Sequence, residues 1–126
     1  MTEQGSGRRG EAAWQGQARI LRVLAHPVRL LILAALASRS QCVKDLNRLV
    51  PLSQARLSQH MAALRRVGLV ACHVNGPLRC YYVLRPTLVR GLMKLLAAEH
   101  PERPRDRAAV LREIARARAA PQETNA

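Results

Sequence analysis

With 126 residues, 48% of them hydrophobic, the chain has room for one domain of ordinary size with short tails. Aromatic residues make up 2% and Phe is absent, so a core must be packed from Leu, Val, Ile and Ala, which favours helices that approach closely. Lys and Arg number 21 against 8 Asp and Glu, a formal charge of +13 that points to a polyanion, usually nucleic acid, with anionic membrane surfaces or acidic proteins as the alternatives.

In chain order, residues 1–11 are polar and Gly-rich and read as a disordered tail. Over 12–25, Trp14, Ala18, Leu21 and Ala25 fall at helical spacing, which predicts a first helix. His26-Pro27 interrupts it, and Pro27 suits the first position of a second helix reaching about Ser38. That helix is apolar nearly all round (30–37) and should be buried on most sides. A short third helix is expected over 40–50, with Val43, Leu46 and Val50 inward. After the turn Pro51-Leu52-Ser53, Ser53 is a good N-cap for a fourth helix over 54–67, and Gly68 stands where a left-handed C-terminal cap belongs.

The texture then changes. Residues 69–74 and 79–84 are rich in β-branched and aromatic side chains around Asn75-Gly76-Pro77-Leu78, the pattern of a hairpin. Pro86 opens a fifth helix to about Ala98 whose apolar arc is too wide for one small core, so part of it should meet a second subunit. A basic extension, 101–126, holds a further candidate helix over 105–119, with the last seven residues expected to fray. Residues 12–100 thus form the domain. The expected fold is mostly α with a small β-hairpin: a winged helix-turn-helix of about five helices and a two-stranded wing, working as a dimer.

The fourth helix carries the function. At 100° per residue, Leu57, Met61 and Leu64 form the buried side, and Ala55, Gln59, Ala62 and Arg66 the opposite one, flanked by Arg56 and Ser58. Small alanines let a backbone approach the major-groove floor; Gln pairs with adenine edges, Arg with guanine or phosphate, and Ser with either. At the wing, His73 and Arg79 flank the tip and can reach the DNA backbone or minor groove, positioning the protein without specifying sequence.

Three linked motifs extend this reading. Leu24-Ala25-His26-Pro27-Val28-Arg29-Leu30-Leu31-Ile32-Leu33 resembles the opening of the arsenical-resistance repressor (ArsR/SmtB) family of bacterial winged-helix regulators. The stretch 52–65, Leu-Ser-Gln-Ala-Arg-Leu-Ser-Gln-His-Met-Ala-Ala-Leu-Arg, looks like that family's recognition helix, and Gly68-Leu69-Val70 with Tyr81-Tyr82 match the ends of its wing. The resemblance covers about residues 18–97. It implies a homodimer joined through the first and fifth helices and a repressor that leaves a palindromic double-stranded operator when an inducer binds. Carried over by position, Ser53, Gln54, Arg56, Ser58, Gln59 and His60 are the expected DNA contacts, although the helix-face reading sets His60 nearer the buried edge.

The family's inducer sites transfer poorly. Where its arsenic and lead sensors carry two cysteines, this chain has Cys42-Val43-Lys44-Asp45-Leu46, one thiol and a lysine. The fifth helix offers only Glu99 and His100 against the carboxylate–histidine set of the zinc sensors. Cys42, beside Lys44 and near a helix start, has the surroundings of a better nucleophile or ligand. Cys72 and Cys80 face each other if the wing loop has three residues, and not if it has two or four. The three thiols are therefore open to three readings: ligands for a thiophilic metal or metalloid, redox thiols, or small apolar fillers.

Other classes have less support. An odd number of cysteines does not suit a secreted disulfide scaffold, and the absence of a signal-like segment or a membrane-length apolar run sets the expectation of a cytoplasmic protein with reduced thiols. No Gly-rich phosphate loop, paired carboxylates or nucleophile–base spacing suggests an enzyme, and no motif calls for a cofactor. The competing reading is a ligand-independent basic protein that binds DNA or RNA, though Trp14, Tyr81 and Tyr82 are few for stacking RNA bases.

Overall fold

The structure, a computed structural model, describes residues 2–121, with side chains from residue 10 onward. Its elements run α1 (Thr2–Leu24), α2 (Pro27–Ser38), β1 (Gln41–Cys42), α3 (Val43–Leu49), α4 (Gln54–Arg66), β2 (Val70–Asn75), β3 (Leu78–Val83), α5 (Pro86–Ala97) and α6 (Arg107–Ala119). The expected helix-turn-helix and wing are both present.

Two boundaries differ from the sequence reading. The tail expected to be disordered is the first part of α1, which runs unbroken from Thr2; Gln4, Arg8, Arg9 and 11–13 are good helix formers and offset the glycines among them. The third helix expected over 40–50 splits into β1 and the shorter α3, because Gln41 and Cys42 pair with Tyr81 and Cys80 across the chain. That pairing makes the sheet three-stranded, in the order β1-β3-β2. The candidate helix in the extension is α6, capped by Asp106, whose carboxylate accepts from the Ala109 amide at 2.8 Å. Met1 and 122–126, most of the stretch expected to fray, lie outside the described residues.

The core sits around α2. Ile32, Leu33 and Leu36 are buried there against Leu46 and Val50 of the α3 segment, Leu57, Met61 and Leu64 of α4, and Val89 of α5. Each such side chain contributes on the order of 1.5–3 kcal/mol by leaving water. Tyr81 is the one aromatic among these buried residues, as a core with little aromatic content requires.

Two glycines fix the joint between α4 and the wing and the wing's tip. Gly68 has φ +74°, its amide bonds the Arg65 carbonyl at 3.0 Å, and the Leu69 amide bonds Leu64 at 3.1 Å. These are the paired bonds of a Schellman cap, which turn the chain straight from α4 into β2. At the tip, Gly76 has φ +59° and is followed by Pro77, so a two-residue turn of type II′ joins Asn75 to Leu78. Among the described residues no single helix is long and apolar enough to cross a membrane.

Candidate nucleic-acid interface

The face of α4 assigned to DNA is open to solvent. Ser53, Gln54, Ala55, Arg56, Ser58, Gln59 and Arg66 are exposed, Ala62 is half-buried, and Leu57, Met61 and Leu64 are sealed beneath. Ser53 accepts the Arg56 amide at 3.2 Å and closes the first turn. The periodicity that divides the helix into apolar and polar sides is therefore the division the fold uses.

Wing and helix face the same space. Gln54 and Ser58 of α4, Cys42 and Lys44, and Pro77, Leu78 and Arg79 of the wing line one cleft. His73 is exposed on the wing, its ring stacked on Tyr82 at 5.2 Å between centroids. Among the described residues the one ion pair, Arg105 with Glu113, lies in the C-terminal extension. No acidic side chain of the described residues therefore neutralises Arg56, Arg65, Arg66 or Arg79, and a polyanion would meet their full charge.

His60 is a correction. It is 9% exposed and turned inward, and its Nδ1 accepts a 3.1 Å hydrogen bond from Nε of Arg29. Arg29 also donates to the Val23 carbonyl at 3.2 Å, and the His26 ring lies 4.6 Å from that of His60. Burial, then the charges of His26, Arg29 and Arg56, hold His60 below the ordinary histidine value, in its neutral form. It sits one turn from Leu57 and Leu64 on the inner edge, so a match by motif position alone assigns it to DNA while its helix face does not. Its role is to tie α4 to α2.

This contact gives the His-Pro-Val-Arg motif a physical meaning that periodicity does not reveal. His26 caps α2 by accepting the Val28 amide at 3.1 Å, Pro27 takes the first helical position, and Arg29 then spans from the end of α1 to the recognition helix. The signal that could have found it is an arginine on an otherwise apolar helix, which needs a buried acceptor.

With a two-residue wing loop, Cys72 and Cys80 do not face each other, the outcome the sequence reading attaches to that loop length. The two-residue turn pairs Cys72 with Tyr81 and His73 with Cys80, so Cys72 and Cys80 point to opposite faces of the sheet. Cys80 instead faces Cys42 across β1 and β3, with the sulfurs 2.9 Å apart. Among the described residues no group of three His, Cys, Asp or Glu side chains is placed to hold a metal ion. Cys42, Cys72 and Cys80, expected as candidate metal ligands, therefore do not converge on one ion, and His100 at the end of α5 turns back onto the Leu95 carbonyl.

The comparisons with known proteins agree with this geometry. The sequence profile described as bacterial regulatory protein, arsR family, matches residues 26–71, the stretch from the α2 cap into the wing. A Mycobacterium tuberculosis protein named as the uncharacterized HTH-type transcriptional regulator Rv0081 is 33% identical over 108 residues, 82% of this chain and 91% of its own.

The chain belongs to the arsR family of bacterial regulatory proteins.

Its structure is similar to the crystal structure of Rv0081, with a TM-score of 0.61 at 28% identity over 86% of this chain and 97% of that one. It is also similar to reduced HlyU from Vibrio cholerae, with a TM-score of 0.65 at 29% identity over 72% and 99%. For the transcriptional repressor BigR from Xylella fastidiosa the TM-score is 0.59 at 27% identity over 79% and 100%. This arsR-family chain is a winged helix-turn-helix transcriptional regulator, mostly helical, with DNA as its partner.

Proposed function

We propose that this regulator is a homodimeric repressor that lays α4 of each protomer in a major groove of a palindromic operator. The observation that carries the reading is the uncovered side of α4, where Ala55 and Gln59 are flanked by Arg56, Ser58 and Arg66, whose cations have no ion-pair partner among the described residues. Ser53, Gln54, Arg56, Ser58 and Gln59 supply the helix contacts, and His73 and Arg79 hold the backbone from the wing. Repression is supported by the likeness to BigR, described as a transcriptional repressor.

Dimerisation follows from surface left over by the core. Trp14 and Leu21 of α1 are 72% and 60% exposed, and Leu88, Leu95 and Leu96 of α5 are 42%, 60% and 56% exposed. Pairing α1 and α5 with their copies removes these side chains from water and sets two recognition helices about one helical turn, roughly 34–36 Å, apart. The protein acts where its DNA is, in the cytoplasm.

Selection from a random duplex library tests the reading. The reduced protein should enrich an inverted repeat, and that repeat placed across a promoter should lower reporter output when the protein is expressed. Enrichment of no sequence, or equal retention of duplex RNA, contradicts sequence-specific DNA binding; raised output contradicts repression.

A further inference from the structure

The pair Cys42–Cys80 is assembled by the fold and takes no part in the reading of DNA. The two residues are directly paired in register, both are free thiols, and both are half-buried, open to a small reagent. Directly opposed residues in an antiparallel ladder have Cα atoms about 4.5–5.5 Å apart, inside the roughly 4.4–6.8 Å a disulfide needs. The sulfurs have only to close from 2.9 Å to the roughly 2.05 Å of an S–S bond. Cys42 is also the N-cap of α3 and spends its side chain on no capping bond.

We propose that Cys42 and Cys80 are an oxidation site at which a hydroperoxide forms an intramolecular disulfide, and that the bridged form grips operator DNA more weakly. Cys42, at the N-cap of α3 with Lys44 two residues on, is the first sulfur to react, while its hydrogen bond and partial burial hold the proton on Cys80. Its thiolate attacks one peroxide oxygen and the O–O bond breaks. Cys42 becomes a sulfenic acid, and the departing alkoxide takes a proton to leave as alcohol. The Cys80 sulfur then attacks the Cys42 sulfur and displaces hydroxide, which takes the Cys80 proton and leaves as water. Two thiols lose two electrons and two protons; one hydroperoxide becomes alcohol and water.

The geometry links this bond to DNA. Cys42 stands immediately before α3 of the helix-turn-helix, and Cys80 follows Arg79 on the wing. Cys42, Gln54, Ser58 and Arg79 line one cleft, so a bond between β1 and β3 resets and stiffens the angle between recognition helix and wing. Cys72 takes no part: it lies on the other face, opposite Tyr81, its thiol against the His73 carbonyl at 3.7 Å. The consequence for DNA rests on the operator reading above; the pairing of the sulfurs does not.

The full chain is treated with tert-butyl hydroperoxide, mapped by mass after alkylation, and titrated onto its selected duplex by fluorescence anisotropy. The parent and Cys72→Ser should lose two hydrogens, yield a peptide joining Cys42 to Cys80, and show a Kd about tenfold higher that dithiothreitol reverses. Cys42→Ser and Cys80→Ser should form no intramolecular bridge and keep the reduced Kd after the same treatment. A bridge to Cys72, intermolecular disulfides or sulfinic acid as the main product, or a bridged form with an unchanged Kd overturns the proposal. If the reduced parent binds no duplex, the operator reading fails by itself, and the peptide map still decides the pairing.

Discussion

His60→Ala separates a buried strut from a DNA contact. The substitution removes the acceptor of a hydrogen bond from a guanidinium, a class worth about 1.5–3 kcal/mol. Arg29 keeps its 3.2 Å bond to the Val23 carbonyl, so the arginine is weakened in its seat and not orphaned. The expected loss is about 2–3 kcal/mol, which at a urea m-value of about 2 kcal/mol per molar lowers the midpoint by roughly 1–1.5 M. Urea titrations by circular dichroism should compare parent and variant at one protomer concentration, since dimer stability depends on it.

The same residue sets a pH dependence. The folded chain holds the His60 proton less tightly than the unfolded chain, so the unfolded state binds more protons below an ordinary histidine value of about 6.5. Parent stability should therefore fall as the pH drops below that point and hold steady above it, with a slope of at most about 1.4 kcal/mol per pH unit per His60. The variant should lose that part of the slope. A variant with parental stability at every pH and a large loss of DNA affinity would refute the strut and restore His60 to the interface.

Three further outcomes follow from the fold. Gly68→Ala forces a Cβ into a left-handed position and towards the Arg85 guanidinium at 3.5 Å, and should cost about 1–2 kcal/mol by thermal or urea unfolding. Leu95→Glu places a charge on the exposed side of α5, and light scattering should then show a monomer with far weaker operator binding. If Arg65, Arg66 and Arg79 of two protomers each release a phosphate counterion, log K should fall with log salt at a slope of about −5. A slope near zero contradicts a phosphate interface.

The sequence discloses what local chemistry controls. Pro27, Ser53 and Gly68 punctuate the chain by their own conformational limits, so α2 and α4 lie where the residues imply. The 3.6-residue period of Leu57, Met61 and Leu64 is equally local and finds the outward face of α4. What stayed hidden is decided between distant positions. β1 has two residues and exists through pairing with β3, with Cys42 and Cys80 38 positions apart. Arg29 and His60 are separated by 31 positions, and no periodicity links them. The wing pairing turned on a single residue of loop length, which the string Asn75-Gly76-Pro77-Leu78 leaves open and the backbone at Gly76 closes.

The central claim is that the exposed side of α4 reads base edges, and competition binding with Gln59→Ala and Arg56→Ala tests it most directly. Each variant is titrated onto the selected duplex and onto duplexes altered one base pair at a time. The account predicts a loss of about 1–3 kcal/mol on the selected sequence, with discrimination relaxed at one position in each half-site. Affinities that match the parent on every duplex would contradict it.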